Sequence, residues 1–173
     1  FSSISHAGYL LIAVISKSSL SGSSLLFYML SYAFTTFGAF GIIILLGRKG
    51  EENLELENYS GLAYKHPLMA LSMTVFLLSL GGMPPFAGFV AKFYIFSAAI
   101  EEGFITLVII AVLNSAISFY YYLKVVVFMY MKEPAGEFNI SLTPMTLFVV
   151  IIGLIGTIEL GIFPDTIISL TTH

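Results

Sequence analysis

PLMALSMTVFLLSLGGMPPFAGFVAKFYIFSAAI, residues Pro67 to Ile100, is apolar enough for a lipid bilayer, yet it carries one charge, Lys92. A lysine at bilayer depth costs roughly 2.5–3.5 kcal/mol on insertion scales. Upstream of it stands Gly81-Gly82-Met83-Pro84-Pro85, which no straight helix can contain. In a helix, the two prolines would leave the carbonyls of Leu80 and Gly81 without N–H partners. Met83 and Pro84 each precede a proline and are pushed out of the α region. The segment therefore predicts two half-helices with an unwound joint. Unpaired carbonyls in a membrane are tolerated only where protein or water covers them, so the joint is expected to face a hydrated interior.

Lys92 lies seven residues after Pro85, about two turns or roughly 10 Å along the second half-helix. Counted back from Glu101, it is about 13 Å from the nearer turn. At that depth the ammonium and the neutral amine come within reach of one another, so the group can load and release a proton as its surroundings change. The competing reading is a snorkelling lysine beside a simple kink. Gly88, one turn before Lys92, leaves room for water or a facing helix.

Working outward, the whole chain is 58% hydrophobic and 10% charged, with mean hydropathy +0.97. Soluble domains carry about 25% charged residues, so this is a membrane protein. The absence of cysteine excludes disulfides, thiolate-held zinc and cysteine-ligated iron–sulfur clusters. A net charge of −3 with scattered cations argues against nucleic-acid binding. There is no nucleotide loop, catalytic triad, haem signature or metal-ligand pattern; Glu51 to Glu57 alternate with Leu in a solvated loop. The chain opens on Phe1 with no basic n-region, which predicts no signal peptide and a piece of a longer protein.

Spanning needs about 20 mostly apolar residues. Five segments meet or approach this: Ser2–Ser16, Ser23–Leu46, the broken Pro67–Ile100, Phe104–Met131 and Leu142 to about Leu170. Backbone in lipid must satisfy its own hydrogen bonds, and runs this long are not barrel strands, so the fold class is an all-α, polytopic transmembrane helix bundle forming one domain over residues 1–173. Five crossings place Arg48, Lys49, Lys65 and Lys132, with Lys124 nearby, on one side, and only Lys17 on the other. The positive-inside rule makes the first side cytoplasmic and puts His173 on the outer face. The Asn58-Tyr59-Ser60 and Asn139-Ile140-Ser141 glycosylation patterns then fall on the wrong side and are discarded.

Other polar groups lie within the apolar segments. His6 follows Ser2, Ser3 and Ser5; it is either a proton carrier or a histidine hydrogen-bonded between helices. Asn114, Ser118 and Tyr121 share a helix face, with Lys124 within a quarter turn; these are equally a relay or interfacial anchors. Phe86, Phe89, Phe93 and Phe96 form a stripe for packing or lipid contact. Glu159 has no obvious partner and is assigned no role.

Taken together, Ser2-Ser3-Ile4-Ser5-His6-Ala7-Gly8-Tyr9, the run Gly82 to Tyr94 (GMPPFAGFVAKFY), Tyr120-Tyr121-Tyr122-Leu123-Lys124 and Leu160-Gly161-Ile162-Phe163-Pro164 resemble the subunit N family of NADH-quinone oxidoreductase, respiratory complex I. The pattern G-[ILM]-P-P-x-x-G-F-x-x-K-F marks the wider antiporter family; the YYYL-K run with SSISH-x-GY narrows it. The resemblance covers essentially the whole chain and implies the last five helices of an antiporter-like subunit. It implies a non-redox, proton-translocating membrane subunit in a bacterial inner membrane. Lys92 would stand on the outward half of the proton path, His6 on the central hydrophilic axis and Lys124 near the cytoplasmic end. NAD, FMN, iron–sulfur clusters and quinone would belong to partner subunits, with no cofactor and no metal in this chain. The implied partners are adjacent antiporter-like and small membrane subunits, the lipid bilayer, protons and water. The family's glutamate–lysine pair and central lysine lie on earlier helices absent here, so this piece would hold about half a channel. A multisubunit cation/proton antiporter or membrane-bound hydrogenase shares the broken helix and lysine. A purely structural subunit with an inert lysine is the third reading. A sister complex I subunit usually has a carboxylate where Lys92 stands, which argues against that assignment.

Overall fold

The computed structural model describes residues 2–18, 21–47, 55–134 and 143–165. They form α1 (Ser2–Ile15), α2 (Ser21–Leu46), a 3-10 turn (Leu56–Tyr59), α3 (Leu62–Lys65), α4 (Pro67–Gly81), α5 (Ala87–Glu101), α6 (Ile105–Met131) and α7 (Pro144–Ile162), with no strand among the described residues. Helices α2, α6 and α7 are each long and apolar enough to cross a membrane. At 1.5 Å per residue, the fifteen residues of α4 or α5 reach only about 22 Å, short of a ~30 Å hydrocarbon core. The two halves must therefore act head to tail as one crossing, as Gly81–Pro85 predicts.

The alternation of sides is borne out where the residues are described. Ser18 Oγ donates to Glu101 at 2.5 Å, joining the two turns of one face. At the other face, the Gly61 N–H donates to the Phe128 carbonyl at 3.1 Å, which brings the α3 end, with Lys65, to the α6 end, with Lys132. Arg48, Lys49, the Asn139 to Ser141 pattern and His173 lie outside the described residues, as does most of the Glu51–Glu57 run.

Two expectations change. The segment before α4 is not simply a polar loop: Tyr59 and Leu62 are buried in the core formed by α2, α4 and α6. Their apolar side chains dock the loop, and Gly61, with φ 71°, turns it against Pro134. Helix α7 stops at Ile162, and the rest of the expected span, from residue 166 to Leu170, lies outside the described residues. Phe163 precedes Pro164, which disfavours helical backbone at that point.

Two apolar clusters stack along the bundle. One gathers Ala39 to Leu46 of α2, Ala70 to Leu77 of α4, and Val150 of α7. The other gathers Phe27 and Tyr28 of α2, Ala87 to Ala99 of α5, and Leu160 of α7. Ser31, Thr35, Ser79 and Thr157, all buried, fall in the sequence gaps between these sets. The α2–α7 crossing depends on small residues: a Cβ at Gly153 would stand 2.8 Å from the Phe34 carbonyl oxygen and 3.0 Å from the Gly38 Cα. Backbone cannot yield as a side chain can, so Gly153→Val should cost about 1–3 kcal/mol by forcing α7 away. Thermal unfolding of the detergent-solubilised full-length subunit checks this, and an unchanged midpoint would refute it.

Candidate functional site

The site is built by the way α4 ends and α5 begins. The last carbonyls of a helix have no intrahelical donors. In α4, Gly82 takes the left-handed conformation (φ 83°, ψ 41°). Its N–H reaches the Ser79 carbonyl at 2.9 Å, and the Met83 N–H reaches the Leu78 carbonyl at 3.0 Å. This Schellman pattern satisfies two of the carbonyls. The remaining two, Leu80 and Gly81, accept hydrogen bonds from Lys92 Nζ at 3.0 and 3.1 Å. The ammonium's third donor goes to Ser115 Oγ of α6 at 2.8 Å, and Ser115 in turn donates to the Gly81 carbonyl at 3.4 Å.

Lys92 is thus 5% exposed and reaches back to the break, not outward. Snorkelling away from the break is excluded by this geometry. The orphaned carbonyls foreseen from the prolines are present, and in these contacts protein donors cover them. The negative end of the α4 dipole faces the ammonium, and the Tyr9 ring centroid lies 5.2 Å from Nζ, within cation–π range.

The capping is reciprocal. Phe86, the residue before α5, makes no side-chain cap. Instead Ser79 Oγ of α4 accepts from the Gly88 N–H at 3.0 Å. A Cβ at Gly88 would collide with the Ser79 carbonyl, so the space at Gly88 is taken by the facing helix end. The Pro84-Pro85 peptide in the joint is cis.

Across from Lys92 stands His6, also 5% exposed. Its Nδ1 shares a hydrogen bond of 2.6 Å with the Tyr28 hydroxyl, and its ring stacks on Tyr32 at 4.6 Å. His6 and Lys92 line one cavity with Tyr28, Ser31, Thr35 and Ser79, of about 10 Å³. That is room for about one water. Beside it, Thr35 Oγ1 donates to the Ser31 carbonyl at 2.8 Å and lies 3.4 Å from Ser79 Oγ and 3.3 Å from Thr157 Oγ1.

The structure therefore brings together two of the three residues singled out from sequence. Lys124 is elsewhere, exposed on α6. On the shared face of α6, Asn114 donates to Ser5 at 3.2 Å and Ser118 donates to the Asn114 carbonyl at 2.9 Å. The buried Tyr121 hydroxyl has no hydrogen-bond partner among the described residues, and Tyr122 bonds Ser2. Phe89 and Phe93 are exposed while Phe96 packs on Tyr9 at 5.8 Å, as a packing and lipid-facing stripe requires. Glu159 is exposed. Sequence reasoning passed over Tyr28, Ser31, Thr35, Ser79, Ser115 and Thr157. Ser24, Tyr28, Ser31 and Thr35 are spaced four, three and four apart on α2 and are all buried. That spacing, inside an otherwise apolar helix, was a readable signal of a polar face.

Residues 1–118 match the family described as NADH:quinone oxidoreductase/Mrp antiporter, TM. The chain is 49% identical over 170 residues to NADH-quinone oxidoreductase subunit N of Trichlorobacter lovleyi, covering 98% of this chain and 35% of that protein. It is 42% identical to subunit N 1 of Solibacter usitatus, covering 99% of this chain and 36% of the relative. It superposes on a chain of respiratory complex I from Thermus thermophilus, solved with bound aureothin, with TM-score 0.85 and 31% identity over 97% of this chain and 38% of that one. The Mrp complex from Dietzia sp. DQ12-45-1b shares the fold, with TM-score 0.74 at 22% identity, over 96% of this chain and 39% of that one. The chain spans only a little over a third of the length of these relatives. Since the family match runs through well over half of its own residues, this integral, multi-pass membrane chain belongs to the NADH:quinone oxidoreductase/Mrp antiporter transmembrane family.

Proposed function

We propose that the chain is the C-terminal part of a subunit N-type component of a bacterial NADH-quinone oxidoreductase, and that Lys92 and His6 carry protons across the inner membrane through it. One observation carries the reading: an ammonium with all three donors placed, buried at a helix break and sharing a one-water cavity with an imidazole. A neutral amine has two N–H groups and one lone pair, so loss of the proton must release one of the three acceptors. Protonation of Lys92 is thereby tied to the contact between α4 and α5. Redox steps in partner subunits would shift nearby charge and change that protonation, while this chain supplies no redox centre of its own. Lys124, toward the Lys132 end of α6, serves at the cytoplasmic mouth of the path. The neighbours would be other membrane subunits of the enzyme, and the whole would act as a translocase.

The relatives at 49% and 42% identity carry the name NADH-quinone oxidoreductase subunit N, which favours this assignment over a cation/proton antiporter. The test is Lys92→Arg in the full-length subunit of the assembled enzyme. Arginine keeps the charge and can donate hydrogen bonds, but it does not release its proton. NADH-driven proton uptake into inverted membrane vesicles should fall about tenfold or more. A structural anchor would tolerate the change, so wild-type uptake would remove Lys92 from the path.

A further inference from the structure

Resting on that reading of the His6–Lys92 site, we propose that Tyr28 is a positioning residue that fixes the ring orientation of His6 and holds its Nδ1 in either tautomer, leaving Nε2 for the path, and that the buried face of α2 is the second wall of the proton path. His6 has two ring nitrogens, and the Tyr28 hydroxyl occupies Nδ1 at 2.6 Å. Only Nε2 is then free to exchange a proton with anything else. Stacking on Tyr32 at 4.6 Å and an edge contact to Tyr9 at 5.9 Å hold the ring plane. Tyr28 is 2% exposed, so no bulk water can substitute for its hydroxyl.

A phenol suits this place because it accepts and donates at once. It can take the Nδ1 hydrogen of one tautomer as an acceptor, or give its own hydrogen to Nδ1 in the other. Phenylalanine would keep the ring and lose both. The position is continuous with the other polar groups of the helix. One and two turns on, Ser31 and Thr35 line the same cavity as Tyr28, and Thr35 leads to Ser79, whose Oγ holds the first turn of α5. The titratable groups facing the pair are Tyr9 from α1, Tyr32 from α2, Lys92 from α5 and Tyr122 from α6.

The experiment is a double-mutant cycle in the assembled enzyme, reading NADH-driven proton uptake in vesicles. Tyr28→Phe should lower uptake about tenfold, the scale of one hydrogen bond to a proton-carrying group. His6→Gln should lower it as well, and the double variant should be no worse than His6→Gln alone, because Tyr28 acts through the imidazole. The pH dependence of uptake should also move in Tyr28→Phe, which a merely structural hydroxyl would not cause. Additive losses, or a Tyr28→Phe profile identical to wild type, would overturn the proposal while leaving the relay intact. If His6→Gln itself pumps normally, the relay reading fails first. Incorporating 3-fluorotyrosine at position 28 retains hydroxyl and size and needs no refolding around a lost group; it should shift the pH dependence, and an unshifted profile counts against Tyr28.

Discussion

Replacing Lys92 with methionine should reduce NADH-driven proton uptake by roughly a hundredfold, the lower end of what positioned proton-transfer groups contribute, while the enzyme still assembles. The second half of that statement follows from opposing terms. Removing the ammonium leaves the Leu80 carbonyl without its donor. An unsatisfied buried acceptor costs about 1–3 kcal/mol. The Gly81 carbonyl keeps a donor in Ser115, whose hydroxyl is 3.4 Å away. Against this stands relief of the lysine's own burial penalty, roughly 2.5–3.5 kcal/mol. The two nearly offset, and methionine fills irregular apolar space well. The variant therefore separates conduction from folding, which a smaller side chain would not do. Native gels should show intact complex, and vesicle assays should show the loss. Intact complex with normal pumping would make the lysine an inert cap and would favour the purely structural reading. Lost assembly would mean that the cap outweighs the burial penalty.

How far the sequence alone reaches is clearest at this residue. Two adjacent prolines announced which carbonyls would be orphaned, and an isolated lysine announced that something polar was needed nearby. Neither said that one would satisfy the other, because the joint's path decides whether a side chain two turns along points back or away. The break itself was legible because glycine and proline act locally, through φ and the missing N–H. The partners were not. Ser115 comes from α6 and Tyr28 from α2, and contacts between distant helices leave no local trace. Hydroxyls are also easily hidden in an apolar helix, where a serine bonded to the carbonyl four residues back looks the same in sequence as one facing a cavity. The docked loop was missed for a similar reason: Tyr59 and Leu62 are two apolar residues in a polar stretch, too few to show any period. The count of crossings did better: the turns at Lys17 and Glu101 meet, and the ends bearing Lys65 and Lys132 meet, as alternation of successive spans requires.

The start of α5 lies against the end of α4 at Gly88, and a side chain there should be severely damaging. A Cβ at this position would run into the Ser79 carbonyl, with the Ser79 carbonyl carbon at 2.7 Å. That carbonyl already accepts the Gly82 N–H that closes α4, so it cannot swing aside without undoing the cap. The start of α5 must move instead. Moving it breaks the Gly88 N–H bond to Ser79 Oγ and draws Lys92, one turn on, away from Leu80 and Gly81. Gly88→Val should then cost more than about 3 kcal/mol, overpacking compounded by lost polar contacts. Gly8→Ala is the matching control. A Cβ at Gly8 meets nothing within 4 Å, and alanine is the better helix former by about 0.8–1.0 kcal/mol. In pulse proteolysis of the full-length subunit in membranes, Gly88→Val should be degraded and Gly8→Ala should survive like wild type. Equal survival of all three would mean that α4 and α5 are not held end against end, and that Lys92 is not fixed by the joint.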